Sequence, residues 1–337
     1  MTGAFITGCE GLALNADEAS FLREAQPWGL ILFARNVESR EQIKALTGQF
    51  RDILGRADAP VLIDQEGGRV QRMRPPNWRK YPPGRAYAGL YEKDAVTGLR
   101  AARLVYRLLA QDLTDAGINV DCVPVLDVPQ LGSHDIIGDR AYGMTPEQVA
   151  LLGRAAAQGL MDGGVLPVIK HIPGHGRAFA DSHLELPVVD APRKELERVD
   201  FAPFAALSDI PMAMTAHVVY TALDPHNCCT LSETVIGEVI RRQIGFDGLI
   251  MSDDLSMKAL KGSFRERGEC AIAAGCDVLL HCNGQMAEMV EVATAAGTLA
   301  GQAERRAARA LSFLRGAEEF DVTAAEMALE ELTGPVA

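Results

Sequence analysis

Eight short, strongly apolar segments recur along this 337-residue chain: FITG at 5–8, LILF at 30–33, VLID at 61–64, INVDCVPVLDV at 118–128, VLPVIKH at 165–171, MAMTAH at 212–217, GLIMSDD at 248–254 and DVLLHC at 277–282. Runs of this kind are what strands covered on both faces of a parallel sheet require. Between them lie EQIKALTGQFRDIL, AARLVYRLLAQDLTDAG and PEQVALLGRAAAQGLMDGG, with apolar residues at three- and four-residue spacing, and the latter two run up to glycine-containing ends. About eight repeated strand–helix units close into an α/β fold of the (β/α)₈ TIM-barrel type, with the helices outside. A doubly wound open sheet is the alternative, because strand order is not written in a sequence.

From about 285 the chain turns alanine-rich and helical, through AEMVEVATAAGTLAGQAERRAARALSFLRG and a short acidic helix near 323–333. These are expected as extra C-terminal helices packed on the barrel wall. No low-complexity linker or composition shift marks a second domain, so residues 1–337 are read as one catalytic barrel domain. RPPNWRKYPPGR, at 74–85, is a proline-rich basic loop after the third strand.

Composition narrows the function classes. Hydrophobic residues make up 48% and charged residues 23%, enough apolar surface for one large core. The formal charge of -12 disfavours nucleic acid as a partner, since neutralising phosphates needs a basic face. The start, MTGAFITGCEG, lacks a basic stretch followed by an apolar run, and no apolar run approaches the ~18 residues of a membrane span. Seven cysteines without a CxxC pair fit reduced thiols better than a disulfide framework or a cysteine zinc site. A cytoplasmic, monomeric protein with no membrane partner is the expectation.

Nearly every strand ends in polar or ionisable residues: Asp64-Gln65-Glu66, Asp127, Lys170-His171, His217 and Ser252-Asp253-Asp254. In this fold the carboxyl ends of the strands and the following loops build the active site, so these groups are expected to converge. An ammonium such as that of Lys170, directly after a buried strand, needs a carboxylate or ligand partner. KHIPGHGRAFADSHLELP, at 170–187, carries Asp181, His171, His175 and His183 on a glycine-containing loop that can fold over a strand end. Three histidines so close raise a metal reading, but their spacing lacks the helical HExxH geometry, and no metal or other cofactor is expected.

KHIPGHGRAFADSH, together with DQEGGRVQR (64–72), GLILFARN (29–36), GDRAYG (138–143) and MSDDLSM (251–257), resembles the bacterial β-N-acetylhexosaminidases of glycoside hydrolase family 3. The resemblance runs from about 29 to 257 with the motifs in the family's order. Ile172 departs from it, standing where phenylalanine is usual in the KH-x-PGHG motif. The resemblance implies a single-domain (β/α)₈ barrel that hydrolyses terminal β-linked N-acetylglucosamine by a retaining mechanism, with a small carbohydrate or muropeptide as substrate in peptidoglycan recycling. It makes Asp253 the nucleophile, where sequence alone leaves Asp253 and Asp254 equally eligible. It makes His183 the acid/base, paired with Asp181, in place of a second carboxylic acid. It assigns Asp64, Arg72, Arg140, Lys170 and His171 to the hydroxyls of the terminal sugar. Glu66, Arg69, His175 and His217, with Asp127, are expected behind these groups.

An imidazole of near-neutral pKa suits a group that donates a proton and later takes one back. It would also avoid repelling an incoming phosphate, so a phosphorylase is the nearest rival. A metal-dependent barrel hydrolase and a non-catalytic sugar-binding barrel are readings from other classes.

Overall fold

The structure, a computed structural model, describes residues 1–130, 132, 135–178 and 186–333. Eight parallel strands close into a barrel: β1 (Gly3–Thr7), β2 (Pro27–Leu32), β3 (Val61–Ile63), β4 (Val120–Asp121), β5 (Leu166–Ile172), β6 (Met212–Thr215), β7 (Leu249–Asp254) and β8 (Val278–His281). They follow one another around the barrel in chain order, and β8 pairs with β1 through Phe5 opposite Leu279. That closure rules out the open sheet. Every apolar segment read as a strand contributes one.

β4 is short for a physical reason. Pro124 has no N–H to give the ladder, so regular pairing stops after Asp121. The chain then rejoins β5, where the Leu126 N–H donates to the Lys170 carbonyl at 2.7 Å. This return sets Asp127 beside His171. β5 in turn shifts register against β6 between Lys170 and Ile172, at the level where its side chains become ionisable.

The first helices are α1 (Ala16–Ala25), α2 (Arg40–Leu54), α3 (Gly84–Lys93), α4 (Ala95–Asp115) and α5 (Pro146–Asp162). α2 shows how the sequence writes one. Ser39 accepts from the Gln42 N–H at its start, Ile43, Leu46, Phe50 and Leu54 form its buried stripe, and Gly55 ends it at φ 64° in the left-handed region. α4 and α5 approach closely because Gly159 faces the Arg103 carbonyl, which a Cβ would meet at 2.3 Å.

The alanine-rich passage after 285, read from the sequence only as helical, divides in two. Helices Met286–Ala296 and Gly301–Leu311 are separated at Gly297, which adopts φ 60°. There the Ala4 N–H donates to the Gly297 carbonyl at 3.0 Å and the Leu299 N–H to the Thr2 carbonyl at 2.9 Å. The interruption ties the C-terminal region to the root of β1. A last helix, Val322–Thr333, brings Ala325 into the core cluster that holds Leu108 and Leu109 of α4. A two-residue parallel ladder, Val188–Val189 with Val219–Tyr220, joins the segments that follow β5 and β6; the sequence reading did not foresee it. No helix among the described residues is long and apolar enough to cross a membrane.

Candidate active site

The carboxyl end of β3 delivers Asp64 and Glu66 with Gln65 between them. The Gln65 N–H donates to Asp121 at 2.9 Å, and its side-chain oxygen accepts from the N–H groups of Arg72 and Met73 at 2.8 and 3.0 Å. These bonds fold the 64–73 loop back on itself, and Gly67 permits the turn at φ 93° with the Pro82 carbonyl 2.2 Å from where a Cβ would lie. Arg72 thereby returns over Asp64 at 3.1 Å.

Lys170, 2% exposed at the end of β5, places its ammonium 2.8 Å from Asp64 and 2.7 Å from Glu66. Arg140 grips Glu66 from the other side with Nε and Nη2, each at 2.8 Å. Charges therefore alternate along a row: Arg72, Asp64, Lys170, Glu66, Arg140. Burial works against ionisation of Asp64, yet Lys170 and then Arg72 hold its carboxyl well below the usual range. Burial also opposes Glu66, but Arg140 and Lys170 bring it down to about 2. Lys170 is desolvated too, and its two carboxylates outweigh that and raise its pKa.

Buried Asp127 receives three hydrogen bonds: from His171 Nδ1 at 2.7 Å, from the His175 N–H at 2.6 Å and from the His171 N–H at 3.3 Å. Burial opposes its ionisation, and His171 beside it keeps it below its ordinary value. An ionised Asp127 fixes the hydrogen of His171 on Nδ1 and leaves Nε2 as the nitrogen a ligand can use. Burial, then the neighbouring His171, lowers the His175 imidazole to about 4, so it stays neutral at neutral pH.

Asp253 and Asp254 end β7, and their surroundings differ. The Asp254 carboxylate accepts from the Ser256 N–H at 2.9 Å, the Ser256 hydroxyl at 2.5 Å and the Cys282 N–H at 3.2 Å, so it ties the following loop to β8. Asp253 Oδ1 accepts from the Asp254 N–H at 2.8 Å.

Asp64, Arg72, Arg140, Lys170, His171 and Asp253 all line one cavity of about 350 Å³, a size suited to a small polar ligand. Every binding residue expected from the sequence, and the expected nucleophile, is thus brought together. Asp181 and His183 lie outside the described residues. Three groups expected behind the site line the cavity instead: Glu66, Arg69 and His175. Glu66 does so because Lys170 and Arg140 both need a counter-charge there. Arg69 does so because it reaches across to the loop after β4, donating to the Ile136 carbonyl at 2.9 Å and pairing with Asp139 at 3.1 Å. His217, fully buried, is not among the lining residues. Phe33 went unremarked in the sequence. Its ring lies 5.3 Å from the Arg72 guanidinium and 5.1 Å from that of Arg35, which orients the Arg72 side chain.

The family model described as Glycosyl hydrolase family 3 N terminal domain matches residues 6–312. The chain belongs to glycosyl hydrolase family 3. It is a glycoside hydrolase, with relatives along nearly its whole length. A β-hexosaminidase from Alkalilimnicola ehrlichii is 40% identical over 287 residues, covering 84% of this chain and 81% of the relative. One from Chromobacterium violaceum is 36% identical over 343 residues, covering 99% of this chain and 95% of the relative. The crystal structure of NagZ from Neisseria gonorrhoeae in complex with N-trifluoroacetyl-D-glucosamine superposes with a TM-score of 0.88 at 32% identity, over 99% of this chain and 98% of that one.

Proposed function

We propose that this family 3 chain is a retaining β-N-acetylhexosaminidase that removes a non-reducing terminal N-acetylglucosamine, with Asp253 as nucleophile and His183, oriented by Asp181, as acid/base. The observation that carries the reading is the setting of the adjacent aspartates, which both line the cavity with the charged row: the Asp254 carboxylate accepts from Ser256 and Cys282 and ties down the following loop, while Asp253 stands at the cavity wall just before it. The relatives called β-hexosaminidases and the NagZ bound to a glucosamine derivative support the sugar.

An oxygen of Asp253 attacks the anomeric carbon, and the bond from that carbon to the aglycone oxygen breaks. The aglycone oxygen keeps the electron pair and takes a proton from His183. Water, giving its proton back to His183, then attacks the same carbon, and the ester to Asp253 breaks to restore the carboxylate. The sugar's hydroxyls are held meanwhile by Asp64, Arg72, Arg140, Lys170 and His171. Arg140 and Lys170 engage them while still partly neutralised by Glu66, which keeps two buried cations tolerable when the pocket is empty.

Trapping with a fluorinated, activated N-acetylglucosaminide tests this. Mass spectrometry should find the sugar on Asp253, and the released hemiacetal should first appear as the β-anomer. An inverted product would overturn the retaining step. Sugar 1-phosphate formed on adding phosphate would replace hydrolysis with phosphorolysis. Physiologically, the reading places the enzyme in the cytoplasm, acting on N-acetylglucosaminyl-anhydromuramoyl fragments in peptidoglycan recycling. Cells lacking it should accumulate such fragments.

A further inference from the structure

Thr215, His217 and Thr230 are fully buried, and none lines the cavity, yet all three hydrogen-bond toward the two-residue segment that holds Asp253. The Asp253 N–H donates to the Thr215 hydroxyl oxygen at 3.2 Å. Thr215 and Thr230 share a hydroxyl–hydroxyl bond at 2.8 Å, and Thr230 meets His217 Nδ1 at 2.7 Å. His217 Nε2 closes the path on the Asp254 carbonyl at 3.0 Å.

The directions of these bonds can be worked out from the ends. A carbonyl only accepts, so His217 Nε2 carries the hydrogen given to Asp254. With the hydrogen of His217 on Nε2, Nδ1 accepts, and the Thr230 hydroxyl donates to it at 2.7 Å rather than to the more distant Ala216 carbonyl at 3.2 Å. The Thr230 oxygen is left to accept from Thr215, and the Thr215 oxygen accepts from the Asp253 N–H. Every bond points the same way around the path, an arrangement in which each polarises the next. The path begins on the amide before the Asp253 side chain and ends on the carbonyl of the next residue. It therefore holds the backbone on both sides of Asp253, while Ser256 and Cys282 hold the Asp254 carboxylate.

We propose that Thr215, Thr230 and His217 form a positioning relay that fixes the backbone around Asp253 and thereby sets the rate of its attack, without contributing to sugar affinity. The proposal rests on the reading of Asp253 as nucleophile. Attack requires the oxygen within about 3–3.5 Å of the anomeric carbon, and a displacement near 1 Å costs about a hundredfold. Removing one hydroxyl leaves a buried donor or acceptor unpaired, and the segment must move to satisfy it. The relay residues never touch substrate; they act through Asp253.

The full-length enzyme and the fluorinated N-acetylglucosaminide separate this proposal from the one beneath it. Peptide mapping of the trapped wild type comes first: label on a residue other than Asp253 overturns both. With label on Asp253, trapping rate constants are compared for Thr215→Val, Thr230→Val and Thr230→Ser, with dissociation constants for N-acetylglucosamine. The rate constant concerns only molecules that trap, so a misfolded fraction does not enter. Both valine variants should trap about tenfold or more slowly, with sugar affinity within about twofold of wild type. Thr230→Ser keeps the hydroxyl and should recover most of the rate. The double valine variant should be little slower than the slower single one, because the path is already broken. Unchanged trapping in the valine variants would overturn the relay. So would a serine variant as slow as valine, which would make Thr230 a packing residue, or sugar affinity falling in parallel with rate.

Discussion

Replacing Lys170 by methionine removes the ammonium that joins two buried carboxylates while keeping most of the side-chain volume. At an effective dielectric of about 20, a unit charge 2.8 Å from Asp64 contributes about 6 kcal/mol of gross attraction, and the contact to Glu66 at 2.7 Å a similar amount. Desolvation of the ammonium cancels much of this. The net loss should be the about 3–5 kcal/mol typical of breaking a buried pair from one side, since Arg72 and Arg140 still neutralise part of each carboxylate. At roughly 2 °C per kcal/mol for a long chain, Tm at pH 7 should fall by roughly 6–10 °C. The pH dependence carries the sharper information. Asp64 and Glu66 are depressed in the folded protein, so their stabilisation is present above the ordinary carboxylate pKa and lost as pH falls toward the folded value, which for Glu66 means from 4.5 to about 2. Tm measured by scanning calorimetry from pH 7 to 2.5 should therefore show the gap between wild type and Lys170→Met narrowing below about pH 4.5. Equal stabilities at pH 7, or a gap that stays constant to pH 2.5, would refute the picture of a desolvated ammonium held by two ionised carboxylates.

Asp127→Asn should weaken binding of N-acetylglucosamine by about tenfold or more, because a charge-assisted bond to His171 is lost and its tautomer is no longer fixed; competitive inhibition constants check this. Gly176→Ala should lower Tm by a few degrees and reduce kcat/KM together, since the new Cβ would lie 2.1 Å from the Val128 carbonyl oxygen at the root of the segment that carries His183. His183→Ala should retain much of its glycosylation rate on an aryl N-acetylglucosaminide with a good leaving group and lose most activity on a disaccharide; equal losses on both would remove the acid role.

The barrel was legible because each parallel strand is covered on both faces and must be apolar along its length, which marks all eight even where β4 keeps only two regularly paired residues. The polar strand ends likewise announced Asp64, Lys170, His171 and Asp253. Contacts between distant residues were not legible. Nothing local to Glu66 says that Arg140, 74 residues on, will clamp it, and so Glu66 was expected behind the site it lines. The Gly297 break escaped notice because alanine is favourable on either side of it, and only pairing with the start of β1 makes the interruption useful. Two-residue strands such as Val188–Val189 have too little length to show any period.

The charged row and Asp253 line one cavity but come from different parts of the chain. Asp64, Glu66, Arg72, Arg140, Lys170 and His171 belong to β3 through β5 and their loops, whereas Asp253 and the groups that steady it, from Thr215 to Cys282, belong to β6 through β8. These separate stretches of sequence are joined side by side where β5 pairs with β6, Lys170 opposite Met214. Recombination with a crossover between His183 and β6 should keep the charged row and the proposed acid/base of one parent together and join them to the Asp253 segment of the other.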